Sequence, residues 1–480
     1  MGRRRILGNS LSILSNRLTQ SLTSFVLFAS IARILGPYQL GQYTLAFSFY
    51  FFFMTLTSQG FKTLFTRELA RNPQETPVYL VSGTLLQFLF SIASYGVLVL
   101  VIFALPYSPD TSTVCYILGL TIIPFSLSNI TEAIFQAQEK MYLIALSTVP
   151  VHILRVLVII GIMQLGYDIK VVSAIMALSE ILILFVEWGF IIRLVKFQWQ
   201  IDWSFLWRTT KAARAFLAIE GVGLFRGQIQ MLILSLTGGE VVVGLYGAIS
   251  QLMQPFELIA GSMVLAIFPS MSKAVDLGRE KQRRLSQNLI GMLLIVALPL
   301  FIGIVFVGRD LLIFVYRDPG FAEAARAFKV IALSPIAVSF TRPLSYVLVA
   351  NGFERVNLRE VIVTSCLSSL LSVILIGQYQ LMGAAIASPV TQLIVCSQYL
   401  YAVYVRLFSL EIWQIICRPL LVSMGMILVF LALHQIALGI LPTLIVATVA
   451  YGLLVGVLAV YALGGPSAVW AKLLRKEQSS

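Results

Sequence analysis

A chain of 480 residues with 59% hydrophobic and only 11% charged side chains falls far below the roughly 25% charge of an ordinary soluble domain, which excludes a water-soluble fold. The net charge is +13, and the basic residues are strung between apolar runs rather than gathered on one face. That pattern speaks for membrane topology and against nucleic-acid binding. Four scattered cysteines without a CxxC, and two histidines, supply neither a disulfide framework nor a metal site.

Fourteen apolar runs follow in chain order, each long enough to cross a hydrocarbon core as a helix. The first six lie at 13–35, 40–61, 78–105, 113–137, 142–162 and 171–195. Six more lie at 215–236, 242–267, 286–308, 327–350, 358–378 and 382–405, and the last two at 419–439 and 441–463. The expected fold class is an all-α integral membrane protein of about 14 transmembrane helices, two six-helix lobes plus two C-terminal helices. The expected divisions are an N-terminal lobe at 1–197, a cytoplasmic interfacial linker at 198–214, a second lobe at 215–406, and the last helices with a tail at 407–480. The linker carries three tryptophans followed by Arg208, Lys211 and Arg214, which suits a short helix lying in the membrane interface. Of the 34 Lys and Arg residues, 24 fall between runs on one side and 6 on the other. The excess predicts that both termini are cytoplasmic.

The sequence compares with itself at an offset of 203 residues. Gly36-Pro37-Tyr-Gln-Leu-Gly41-Gln-Tyr43 lines up with Gly239-Glu-Val-Val-Val-Gly244-Leu-Tyr246, each on the outer turn between the first two helices of a block. A looser echo pairs Phe135-Gln-Ala-Gln-Glu-Lys with Val349-Ala-Asn-Gly-Phe-Glu-Arg. Together they favour two duplicated bundles of parallel topology. In the turns, the glycines permit close or left-handed backbone, Pro37 stiffens the entry, and Tyr43 suits an interfacial anchor.

Charges inside apolar runs are costly unless they face protein or water. Arg17 is followed by Gln20 and Ser24 on one stripe, and Arg226 by Gln230 one turn on. Glu220 sits roughly 240° around the helix from Arg226, so the two are not expected to pair. Arg155 has His152 one turn before it, and Arg342 lies between Ser339 and Ser345. Polar faces recur at Asn129, Glu132 and Gln136, at Ser250, Gln254 and Glu257, and at Glu180 and Glu187. These residues suit cargo or ion binding, and equally suit ion pairs that only hold helices together. A GxxxxGK[ST] phosphate loop and an HExxH are both missing, and no nucleophile with a base and an orienting group can be argued. The reading is therefore not an enzyme, with no catalytic residue and no cofactor.

IARILGPYQLGQYTLAFSF, FQAQEKM and GLYGAISQLMQP resemble the polysaccharide-transporter branch of the multidrug/oligosaccharidyl-lipid/polysaccharide exporters, and in particular its Wzx-type flippases. Leu40 stands where that branch frequently has Phe, a mild departure that leaves the turn glycines intact. The resemblance implies two lobes forming a V around a central cavity. It also implies a secondary transporter that moves polyprenyl-pyrophosphate-linked oligosaccharide to the outer leaflet of a bacterial inner membrane by alternating access, for cell-surface polysaccharide and lipopolysaccharide synthesis. The partners implied are that glycan lipid, membrane lipids and polysaccharide polymerase machinery. Arg17, Arg155, Arg226, Arg342, Glu132, Gln254 and Glu257 are then candidates for substrate binding, since arginine forks suit a diphosphate. Glu180 and Glu220 are candidates for coupling to a sodium or proton gradient. A peptidoglycan lipid-precursor flippase and a cation-coupled multidrug exporter remain the alternatives.

Overall fold

The computed structural model describes residues 3–195, 201–435 and 439–462. Among them thirteen α-helices run in chain order: α1 (Arg3–Arg71), α2 (Thr76–Ala104), α3 (Pro109–Gly119), α4 (Ile122–Ala137), α5 (Met141–Gln164), α6 (Ile169–Leu194), α7 (Trp203–Asp276), α8 (Arg279–Tyr316), α9 (Ala325–Ile331), α10 (Ser334–Ala350), α11 (Glu354–Arg406), α12 (Ile412–Gln435) and α13 (Ile440–Ala462). Two short 3₁₀ turns, Pro73–Glu75 and Pro319–Ala324, precede α2 and α9. Strands are absent among the described residues.

The expectation of fourteen transmembrane helices is overturned. Ten helices among the described residues are long and apolar enough to cross a membrane. The number becomes eleven if the bent pair Pro319–Ile331 and Ser334–Ala350, 42° apart, forms one span. The arrangement of two six-helix lobes plus two further helices goes with it. The reason lies in how adjacent runs are joined. Separate helices were expected on either side of short breaks, with a turn between 13–35 and 40–61 and another between 215–236 and 242–267, and a break between 358–378 and 382–405. Instead the helix continues up to a single non-helical residue: Gly36 in α1, Gly239 in α7 and Gln380 in α11. Run 113–137, by contrast, is divided between α3 and α4.

Each of the three long helices folds back on itself at its break. The rings of Phe28 and Tyr43 lie 6.5 Å apart across Gly36, where fifteen residues of straight helix would separate them by ~22 Å. Across Gly239, Tyr246 Oη donates to Gln230 Oε1 at 3.0 Å. Past Gln380, a Cβ on Gly383 would meet the Leu375 carbonyl oxygen at 2.0 Å. Gly36 (φ 77°, ψ −178°) and Gly239 (φ 71°, ψ −174°) adopt the same conformation, one that only glycine visits without strain. The aligned glycines of the internal repeat thus make equivalent turns.

The chain forms two compact units. The first comprises Met1–Ala248 with Ser372–Ala384, and the second Ile249–Leu371 with Ala385–Ser480. In the first, α1 packs on α3, α4 and α5, around a core that includes Phe61, Phe65, Tyr79, Phe135, Ile191 and Phe205. In the second, α8 packs on α10 and α12. One core there gathers Phe256, Leu289, Leu293, Leu344 and Tyr399, and a smaller one Ile302, Met426, Phe430 and Ala447. Where the interfacial linker was expected, α7 begins at Trp203, capped by Asp202, whose carboxylate accepts from the backbone N–H groups of Ser204 at 2.9 Å and Phe205 at 3.1 Å.

Candidate functional site

The first unit holds a buried polar seam where α1, α4, α5 and α6 meet. Arg155 on α5 donates from Nη1 to Glu180 Oε1 on α6 at 3.0 Å and to Ser179 Oγ at 3.3 Å. The two charged side chains are only 8% and 11% exposed. His152, one turn earlier, is buried beside them. Lys62 on α1 pairs with Glu132 on α4. The residue before Glu132, Thr131, donates its hydroxyl to Glu187 on α6, and Ser147 Oγ on α5 donates to the same carboxylate at 3.2 Å. Glu187 is fully buried. Two hydroxyls donate to its carboxyl group and, among the described residues, it makes no ion pair, so its polar needs are met by dipoles.

The seam joins two sequence candidates directly, Arg155 for substrate and Glu180 for ion coupling. Glu132, also a substrate candidate, is engaged by a lysine. Lys62 directly follows the apolar run 40–61, but α1 continues past it to Arg71, which brings it against α4. Lys62 was missed because its partner stands seventy residues away in sequence. Glu187 was visible only as a carboxyl two turns beyond Glu180, with nothing to tell it from a packing residue.

In the second unit, Arg342 on α10 donates from Nη2 to Glu257 Oε2 on α7. Each side chain of this pair is 42% exposed. Gln254, one turn before Glu257, is exposed too. The backbone beside them is bare: a Cβ on Gly261 would stand 3.2 Å from Arg342 Nη1. Ionised groups on apolar helices of membrane length face protein interior or water, because facing lipid is too costly. The half-exposed Arg342–Glu257 pair therefore marks a wet surface of this unit. The side chains of Arg17, Glu220 and Arg226 lie outside the described residues.

The turn residues come together in the first unit. A Cβ on Gly41 would meet the Glu240 carbonyl oxygen at 1.7 Å, and one on Gly244 would meet the Pro37 carbonyl oxygen at 2.1 Å. Tyr43 is 7% exposed, stacked on Phe47 at 5.9 Å, so it is a packing residue here rather than an anchor at the interface. Tyr246 is buried likewise. Among the described residues no group of three or more His, Cys, Asp or Glu side chains is arranged to hold a metal ion.

Apolar helices folded back at single-residue breaks, with ionic groups gathered inside them, define a multi-pass membrane protein. Residues 6–275 match the family of polysaccharide biosynthesis proteins, and the chain belongs to it. Its fold resembles that of the lipid II flippase MurJ in an inward closed conformation, with a TM-score of 0.76 at 15% identity over 93% of this chain and 98% of that one. An inward-facing multidrug-resistance MATE transporter of the MOP superfamily gives a TM-score of 0.63 at 14% identity, over 80% and 93%. A MOP-superfamily transporter from Pyrococcus furiosus gives 0.57 at 12%, over 83% and 94%. At these identities the likeness is one of fold. No curated relative matches by sequence.

Proposed function

We propose that this chain moves a polyprenyl-pyrophosphate-linked oligosaccharide from the cytoplasmic to the outer leaflet of a bacterial inner membrane, for cell-surface polysaccharide synthesis. It does so as a secondary transporter working by alternating access, with both termini in the cytoplasm. Family membership and the shared flippase fold support the class of cargo. The observation that carries the reading is the half-exposed Arg342–Glu257 pair, with Glu257 on a helix of membrane length and Arg342 on the second member of the bent pair Pro319–Ile331 and Ser334–Ala350. A lipid tail can remain in hydrocarbon, while the diphosphate and sugars need a polar, hydrated path. An arginine reachable by water offers the diphosphate a forked donor, and the neighbouring carboxylate competes with it and so favours release.

In this mechanism Arg17, Arg155, Arg226 and Arg342 are proposed cationic contacts, with Glu132, Gln254 and Glu257 meeting sugars or balancing charge. Glu180 and Glu220 are the proposed entry for a sodium or proton gradient. The polysaccharide polymerase machinery would receive the product. The likeness to the lipid II flippase favours a second cargo, a peptidoglycan precursor, which presents the same diphosphate to the same groups.

The test is leaflet transfer of defined polyprenyl-pyrophosphate glycans, lipid II among them, in liposomes containing the purified protein. Runs with and without a sodium or proton gradient, with Arg342→Ala, and with a cationic drug as competing cargo complete it. Glycan-lipid transfer that drops in the variant supports the proposal. Movement of the drug alone replaces it with multidrug export.

A further inference from the structure

The opening turns of α7 present two unlike faces. Phe205, Leu206 and Thr209 are buried, the first two in the core with Phe65 and Tyr79. Trp203, Ser204, Trp207, Arg208 and Lys211 are exposed. At about 3.6 residues per turn those side chains share one arc of roughly 140°, with the tryptophans along one edge and Arg208 at the other. Trp203 and Trp207 are 71% and 70% exposed, so neither ring is covered by the described residues.

The position of this arc follows from what its buried side touches. One membrane-length stretch finishes at Arg71 and the next begins at Pro73. Beside that junction the Asp202 amide donates to Ser82 Oγ on α2, and the Phe205 ring sets against Tyr79, one turn nearer the start of α2. The arc therefore stands at the rim of the hydrocarbon, on the side that carries most of the chain's Lys and Arg. Indole rings favour that depth, where the ring meets acyl chains and the N–H meets headgroups.

Charge decides what such a rim holds. The Asp202 carboxylate is engaged by the Ser204 and Phe205 amides and the Ser204 hydroxyl, and Glu68 by Arg67. Arg208 and Lys211 enter no ion pair among the described residues. Two free cations offer donors to phosphate oxygens, and two bare indoles offer a surface to acyl chains. An acidic protein segment would answer the cations and leave the rings uncovered, whereas a lipid answers both. A zwitterionic headgroup brings a cation of its own, which Arg208 and Lys211 repel; a headgroup of net negative charge does not.

We propose that the outward arc at the start of α7 is a binding site for anionic phospholipid, with the phosphate held by Arg208 and Lys211 and the acyl chains laid against Trp203 and Trp207. The site rests on the membrane fold alone and stands whatever the cargo is.

The test uses the full chain with Trp207 as its sole tryptophan, the other five replaced by phenylalanine, in vesicles of equal parts phosphatidylcholine and phosphatidylglycerol. One of the two lipids is brominated at a time, and bromine quenches a tryptophan that it touches. Brominated phosphatidylglycerol should quench Trp207 more strongly than brominated phosphatidylcholine. The preference should fall about fivefold with Arg208→Gln and as much again with Lys211→Gln added. Arg279→Gln with Lys281→Gln, at the start of α8, removes the same charge elsewhere and should leave the preference unchanged. Equal quenching by the two lipids, or an equal loss in the α8 control, overturns the proposal. Quenching by neither lipid also overturns it, and assigns the arc to a protein partner. Native mass spectrometry repeats the comparison with every tryptophan in place. Phosphatidylglycerol adducts should be depleted in the Arg208→Gln, Lys211→Gln chain and kept in the α8 control, and equal retention by the two overturns the proposal.

Discussion

Replacing Glu180 by glutamine leaves Arg155 with a hydroxyl partner at 3.3 Å and a buried charge that nothing neutralises. Removing one member of a buried pair costs about 3–5 kcal/mol. In a domain of this size that corresponds to a fall in Tm on the order of 10 °C. The converse change, Arg155→Met, should cost less, because an abandoned carboxyl can take up a proton while a guanidinium cannot lose one. The double variant Arg155→Met with Glu180→Met removes both charges at similar volume, so most of the loss should return. Thermal unfolding of the purified proteins in one detergent provides the four corners of the cycle. If the double variant loses the sum of the two single losses, the pair is not coupled and the argument from burial is wrong.

Arg342→Ala should change stability by less than ~1 kcal/mol, since its pair is half-exposed, while glycan-lipid transfer falls; unfolding and liposome assays on one preparation separate the two effects. Gly36→Ala and Gly239→Ala should each cost about 1–3 kcal/mol through backbone strain, read as a lower Tm. Gln380→Gly should raise stability by about 1 kcal/mol, because Gln380 sits at φ 46° where a side chain is strained. At the start of α7, hydrogen bonds from the Ser204 hydroxyl and the Phe205 amide hold the Asp202 carboxyl below its usual range. A depressed carboxyl stabilises above its unfolded value and stops doing so as pH falls through the folded one. Protection of the Ser204 and Phe205 amides, relative to their intrinsic exchange at each pH, should therefore fall in acid, below about pH 4, and Asp202→Asn should weaken that dependence.

The apolar runs made the all-helical membrane fold legible, because length and hydropathy are local properties. The repeat was legible for the same reason: Gly36 and Gly239 are visible as aligned letters, and the backbone takes the same path at both. Helix number was not. Whether 13–35 and 40–61 are joined by a loop or by one residue depends on the torsion angles of Gly36, which spacing does not reveal. That the two turns pack on each other was hidden as well, since the partners of Gly41 and Gly244 lie about two hundred residues away. Among the charges, Arg155 and Glu180 were each singled out, but their pairing follows from how α5 and α6 face each other. Lys62 follows the end of the run 40–61, and hydropathy alone does not show that α1 continues past it to Arg71.

The aromatic knot at the start of α7 carries a consequence for how the chain is held together. Phe205 is 1% exposed, its ring 4.6 Å from that of Tyr79 and 6.3 Å from that of Phe65, and the neighbouring Asp202 amide donates to Ser82 Oγ on α2 at 3.0 Å. Burying such a ring contributes about 2–3 kcal/mol, so the second stretch of chain is pinned to the first by contact as well as by covalent continuity. A gene cut between the codons for Val195 and Ile201 would encode two polypeptides with a ready-made plug and socket. Their reunion in the bilayer would depend on a phenylalanine, not on a peptide bond.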